Sequence, residues 1–203
     1  MPAKIAIITY SMYGHVDTLA DSVEEGVKAS GAIPTRFQLP ETLPAEVLEK
    51  MYAAPKPSHP VLEDVNTLKE FDGFLFGFPT RYGRTPAQVS IFFDKTGGLW
   101  MSGGLVGKFA GIFTSTASQH GGQETTALTT LPFLSHHGMI YVPIGYANAN
   151  LQDNGEVLGG SAWGAGTIAG GDGARKPHAK ELDIANHQGK SFGTILNQFV
   201  AGK

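Results

Sequence analysis

The strongest constraint on this chain is its succession of short, nearly unbroken apolar runs separated by segments of helical period. Residues 4–10 (KIAIITY) have the continuous hydrophobicity of a strand covered on both faces. Residues 15–30 follow with Val16, Leu19, Ala20, Val23 and Val27 at helical spacing, and Gly31 supplies a stop. Residues 34–39 then read as a second strand, 71–78 (FDGFLFGF) as a third, 108–114 (KFAGIFT) as a fourth and 139–144 (MIYVPI) as a fifth. Helices are expected over 85–95, starting beside Pro86, over 124–136, and over 178–200. Strands alternating with helices predict an α/β fold built on a parallel sheet with right-handed crossovers. No repeat or linker divides the chain, so residues 1–203 are expected to form one domain. Two stretches depart from the pattern. Residues 40–70 carry five prolines, with one short helix near 46–51, and residues 145–173 are Gly-rich.

Composition narrows the chemistry. The absence of cysteine excludes a disulfide framework, a thiol nucleophile, an iron–sulfur cluster and thiolate zinc sites, so redox chemistry must come from a bound cofactor. A formal charge of −3 offers no basic field for nucleic acid. The stretch MPAKIAIITY lacks the pattern of a secretory leader, no apolar run reaches the roughly 18 residues of a membrane span, and no Asn-x-Ser/Thr sequon occurs. A cytoplasmic protein is the expectation. No carboxylate pair or Ser–His–Asp arrangement is evident, which argues against hydrolysis.

Candidate chemistry gathers where expected strands end. The first strand runs into YSMYGHVDT: Ser11 offers a hydroxyl, Gly14 permits close backbone approach, and Thr18 can bond from the first helical turn. Such a turn lets backbone amides and a helix dipole meet a phosphate, although any strand-to-helix turn also favours these residues as caps. No Lys or Arg lies between Lys4 and Lys28, so dipoles would hold the anion. The third strand ends in GFPTRYGRTPAQ, where Thr80, Arg81 and Tyr82 offer amides, a cation and a ring to a flat heterocycle. The fourth ends in FTSTASQHGGQE, small residues and a glycine pair before a helix. Parallel sheets bind ligands beyond the carboxyl ends of their strands, so the three loops should face one crevice. Phe74, Phe76 and Phe78 alternate in a strand and read as core, and Asp172 in GGDG suits a turn as well as it suits a functional role.

SMYGHVDTLA, PTRYG, DKTGGLW, HHGM, VPIGY and TIAGGDGAR, in this order along the chain, resemble the blocks of the WrbA-type NAD(P)H:quinone oxidoreductases. The resemblance implies a flavodoxin-like three-layer fold with a five-stranded parallel sheet in order 2-1-3-4-5, FMN as prosthetic group, NADH or NADPH as co-substrate, and a homotetramer. It implies that Ser11, Met12, Tyr13, Gly14, His15 and Val16 cradle the FMN phosphate and ribityl chain. Pro79, Thr80, Arg81 and Tyr82 would line the isoalloxazine. Ser115, Thr116, Ala117, Ser118, Gln119, His120 and Gly121 would wrap its pyrimidine edge. His137 would complete the pocket from a neighbouring subunit or loop. Tyr13 matches the position linked to the nicotinamide nucleotide, and Trp100 the position that stacks on substrate. One departure stands out: the family's bacterial members typically read STGTGGGQE, against STASQHGGQE here, which adds His120 near the ring.

The activity so implied is two-electron reduction of a benzoquinone-type substrate to the hydroquinone, the two reactants alternating at one open face. Both nucleotides are expected to serve, because residues 109–174 contain no Lys or Arg to clamp a 2′-phosphate. Two other readings are compatible with the motifs. One is a flavodoxin-like electron carrier, against which the mild charge counts; the other is a non-catalytic FMN-binding regulatory or scaffold homologue.

Overall fold

A computed structural model describes residues 1–202. Along the chain the elements are β1 (Lys4–Thr9), α1 (His15–Ala29), β2 (Ile33–Gln38), α2 (Ala45–Lys50), β3 (Gly73–Pro79), α3 (Ala87–Asp94) and α4 (Gly97–Met101). They continue with β4 (Phe109–Thr116), α5 (Thr125–Leu128), α6 (Leu131–His136), β5 (Ile140–Tyr141), β6 (Gly166–Ile168) and α7 (Ala179–Ala201). The sheet is parallel in the order β2-β1-β3-β4-β5, with β6 also paired to β4. Every residue of β4 is buried, as are the last five of β1 and the first six of β3, because helices cover both faces. Successive side chains point to opposite faces. Ile5 and Ile7 join Leu19, Val23, Ile184 and Phe192 of α1 and α7, whereas Ala6 and Ile8 join Val89, Phe92 and Leu134 on the side of α3 and α6. Phe74, Phe76 and Phe78 are core residues, as their alternation predicts.

The sheet has six strands rather than five. The expected strand over 139–144 is ordered as a ladder only at Ile140–Tyr141, opposite Phe109 and Ala110. The chain then leaves the edge and returns as β6, which pairs with Thr114–Thr116. One edge of β4 is therefore shared by two short strands with an excursion between them. The expected helix over 124–136 is also two helices. Pro132 has no N–H to give to the Leu128 carbonyl, so α5 stops at Leu128 and α6 starts at Leu131. Strand β4 runs two residues past its expected end, which puts Ser115 and Thr116 on the strand itself.

Close approach of α1 and α7 closes one face. A Cβ on Gly26 would lie 2.0 Å from the Asn186 carbonyl oxygen, and one on Gly189 2.1 Å from that of Val23. Glycine inside a helix ordinarily costs about 1 kcal/mol relative to alanine. At these crossings it is what lets the backbones touch. Gly189→Ala should therefore destabilise the fold by about 1–3 kcal/mol through overpacking, lowering Tm by about 2–4 °C for each kcal/mol in a domain of this size. Thermal unfolding checks this; an unchanged or raised Tm would contradict the close crossing.

Candidate functional site

A cleft of about 580 Å³ opens where β1, β3, β4 and β6 end, within the size range of cofactor sites. Its first wall is the turn from β1 into α1. The Ser11 hydroxyl accepts from the Gly14 amide at 3.0 Å, and Gly14 takes φ +85° as the N-cap of α1. No side chain caps this fifteen-residue helix, which leaves its dipole and first-turn amides available to an anion. Thr18 turns its hydroxyl back to the Gly14 carbonyl at 3.1 Å, so it serves the turn. His15 is buried, and its Nε2 lies 2.8 Å from the Arg175 carbonyl. A carbonyl only accepts, so Nε2 carries the proton.

The second wall follows β3. Thr80 N–H donates to the Ser115 carbonyl at 2.8 Å, and its hydroxyl meets the Gly83 amide and the Thr126 hydroxyl. Arg81 and Arg84 exchange both backbone bonds across Tyr82 and Gly83, which have φ +55° and +74°. Pro79, Thr80 and Arg81 line the cleft, whereas Tyr82 projects into solvent on its outer side. At the third wall, Ser115, Thr116 and Ala117 line the cleft. Gln119, His120 and Gly121 instead border an adjoining open hollow together with Tyr82. Ser118 is exposed, and its carbonyl accepts from the Thr116 hydroxyl at 2.7 Å.

Two walls were not among the expected site residues. Ala169 to Gly173 line the side beyond β6. Ala169 N–H donates to the Thr116 carbonyl at 2.7 Å, and the Asp172 carboxylate accepts from the Ala174 amide at 3.0 Å, a turn role. The block TIAGGDGAR marked this stretch without revealing that it returns to the edge of β4. On the other side stand Met51, Tyr52 and Ala54. Here the fold also supplies a cation that the first loop lacks in its own sequence. Lys56 Nζ donates to the Ser11 carbonyl at 2.9 Å, pairs with Glu41 at 2.9 Å and lies 4.5 Å over the Tyr10 ring.

Trp100 and His137 do not line the cleft within the chain. Trp100 sits on α4, more than half exposed, with Met101 and Val106 also exposed nearby in sequence. His137 is buried, with its ring edge-on to Phe133 and Nε2 2.8 Å from the Thr96 hydroxyl. Burial and the neighbouring His136 hold its pKa below the usual histidine range.

The family model described as NADPH-dependent FMN reductase matches residues 3–153. The chain belongs to this family. It is 55% identical over 195 residues to the minor allergen Alt a 7 of Alternaria alternata, covering 95% of this chain and 96% of that one. It is 51% identical over 196 residues to the NAD(P)H quinone oxidoreductase PST2 of Candida albicans, covering 97% of each. The quinone-oxidoreductase QR2 of Triphysaria versicolor is 52% identical over 200 residues, with 98% and 97% covered. A flavodoxin-type, WrbA-like protein from Agrobacterium tumefaciens superposes with a TM-score of 0.67 at 21% identity, over 97% of this chain and 98% of that one, which supports the flavodoxin-like fold. The cleft fits FMN, the cofactor of the family: an uncapped helix N-terminus faces one end, and the walls after β3 and β4 flank the other.

Glu41 pairs with Lys56 and so holds it against the first loop. Burial alone would raise its pKa, but Lys56 and the amides of Leu43 and Thr42 outweigh that and hold it below the usual value. A carboxyl with a lowered folded pKa stabilises the fold above its unfolded value of about 4.3 and loses that contribution as pH falls through the folded one. Glu41→Gln should therefore cost about 1.5 kcal/mol at pH 7, with the gap to wild type closing below about pH 4. Denaturant titrations across pH measure this, and a gap independent of pH would show that the charge is not what matters.

Proposed function

We propose that this chain reduces quinones to hydroquinones with NAD(P)H through a bound FMN. The observation that carries the reading is the cleft at the carboxyl ends of β1, β3 and β4, bounded by the uncapped N-terminus of a long helix. Relatives of about half identity over nearly the whole chain, named as NAD(P)H quinone oxidoreductases, support it. When bound, FMN supplies the redox chemistry, accepting a hydride from NAD(P)H and delivering two electrons to the quinone.

The residues of the chain then bind, orient and exclude. Ser11 to Val16 hold the phosphate end by backbone amides, with Gly14 giving the close approach. Thr80, Arg81 and Ser115 to Ala117 flank the flat ring. Arg81 is the only Lys or Arg lining the cleft among the described residues, and its guanidinium already donates to the Thr80 carbonyl at 2.9 Å. A single cation so engaged is a poor clamp for a 2′-phosphate, so NADH and NADPH both serve. Nicotinamide and quinone would enter the one cleft in turn, which would make the kinetics ping-pong.

Trp100 provides a stacking surface for the quinone, and His137 completes the pocket in the assembled protein. We infer a homotetramer, in which the exposed Trp100, Met101 and Val106 are covered. The purified protein should show a flavin spectrum that bleaches with anaerobic NADH and recovers with benzoquinone. Absence of bound flavin after reconstitution with FMN would defeat the reading. Trp100→Ala should lower kcat/KM for quinone about threefold to tenfold while FMN content holds, the value of one aromatic contact. An unchanged quinone rate in a stable, FMN-loaded variant would remove Trp100 from the site.

A further inference from the structure

Among the described residues, two that are not glycine take positive φ, Tyr82 at +55° and Tyr52 at +53°. Tyr82 is accounted for by its two-residue turn, which demands left-handed backbone. Tyr52 follows Met51, the C-cap of α2, at the position where a helix end usually places glycine. The bonds that close this end run from the Tyr52 amide to the Glu49 carbonyl and from the Ala53 amide to the Leu48 carbonyl, each at 3.0 Å. They are backbone bonds that glycine would make without strain. The ring gains nothing from packing either, since it is 89% exposed.

The residue with this strained backbone nevertheless stands in one place, on the wall of the cleft. The Ala54 amide donates to the Met12 carbonyl at 2.9 Å, and Lys56 Nζ to the Ser11 carbonyl, so this segment is tied to the first loop at two points. A left-handed non-glycine residue in a fixed segment beside a ligand cleft points to ligand contact as the gain that offsets the strain. We propose that Tyr52 is a specificity-determining residue whose ring stacks on the adenine end of NAD(P)H, an inference that rests on the proposed function. The sheet order supports this ligand. Walls for the flavin ring follow β3 and β4, the first loop follows β1, and Tyr52 lies beyond that loop, on the side of β2. A quinone seated on the flavin does not extend so far. The adenine, separated from the nicotinamide by two riboses and a pyrophosphate, does.

Tyr52→Gly removes the ring and relieves the backbone together. In the FMN-loaded enzyme it should hold or raise Tm while raising the KM for NADH about threefold to tenfold, the loss falling in KM more than in kcat. The KM for benzoquinone and the affinity for FMN should not follow. Reduced nicotinamide mononucleotide, which lacks adenine, should not distinguish the variant from wild type, and Tyr52→Phe should recover the KM for NADH. An unmoved KM for NADH, an equal rise with the mononucleotide, or a rise in the quinone KM instead would overturn the proposal. Calorimetry with ADP-ribose on the FMN-loaded protein gives a readout apart from turnover. Binding weakened threefold to tenfold in Tyr52→Gly supports the stacking even if quinone reduction fails, and unchanged binding refutes it.

Discussion

The shape of the far side of the cleft depends on one buried carboxylate. Glu181, in the first turn of α7, is fully buried and accepts from the amides of Gly159, Ile168 and His178, the Thr167 hydroxyl and the Arg175 guanidinium. A carboxylate out of water is tolerated when its oxygens are saturated with donors. Those donors come from the excursion before β6, from β6 itself, from the segment after it and from the helix start. Arg175 adds bonds to the Ile168 and Val157 carbonyls. One side chain thus closes a loop that returns to the edge of β4 and presents Ala169 to Gly173 to the cleft. The Arg175 carbonyl then reaches His15 and joins this wall to the helix that faces the phosphate end.

The opposite wall is fastened by a smaller version of the same device. Glu41 gathers Lys56, Gln88, the Tyr10 hydroxyl and two amides. Burial and the nearby Glu41 raise the Tyr10 pKa well above its ordinary value, which keeps the phenol a donor. Lys56 is partly neutralised by Glu41 and spends a donor on the Ser11 carbonyl, so it shapes the first loop more than it charges it. The anion end of the cleft therefore remains chiefly a matter of amides and the α1 dipole, as the lack of local cations implies.

What was legible in the sequence follows from which forces are local. Strands β1, β3 and β4 read clearly because central parallel strands bury both faces and need continuous apolar runs. Helix α1 read clearly because Val16, Leu19, Val23 and Val27 hold one face. The division of the fifth strand was hidden, because MIYVPI has strand composition throughout. Only the later return of Gly166–Ile168 to the same edge decides where pairing stops. Lys56 and Tyr52 were hidden for the same reason: their nearness to Ser11 and Met12 is made by tertiary hydrogen bonds over about forty residues, not by a motif. Tyr13, Thr80 and Ser115 line one cleft because strand ends in a parallel sheet share one side whatever the loops contain.

Trp100 and His137, expected at the site from the sequence, stand apart from the cleft of their own chain. The Thr96 hydroxyl gives its proton to the Phe93 carbonyl, 2.6 Å away, and therefore accepts from His137 Nε2–H. This fixes the tautomer, leaves Nδ1 as a buried acceptor with no partner, and agrees with a lowered pKa that keeps the ring neutral. The bond fastens the end of α6 to the residue that starts α4. Phe93 and Phe133 stack across the same junction. Helix α4 is too short to hold its own geometry, so its position is set by this buried joint. The exposure of Trp100 is thus a property of a braced platform rather than of a frayed end, and a flat aromatic surface is offered outward at a fixed place on the protein.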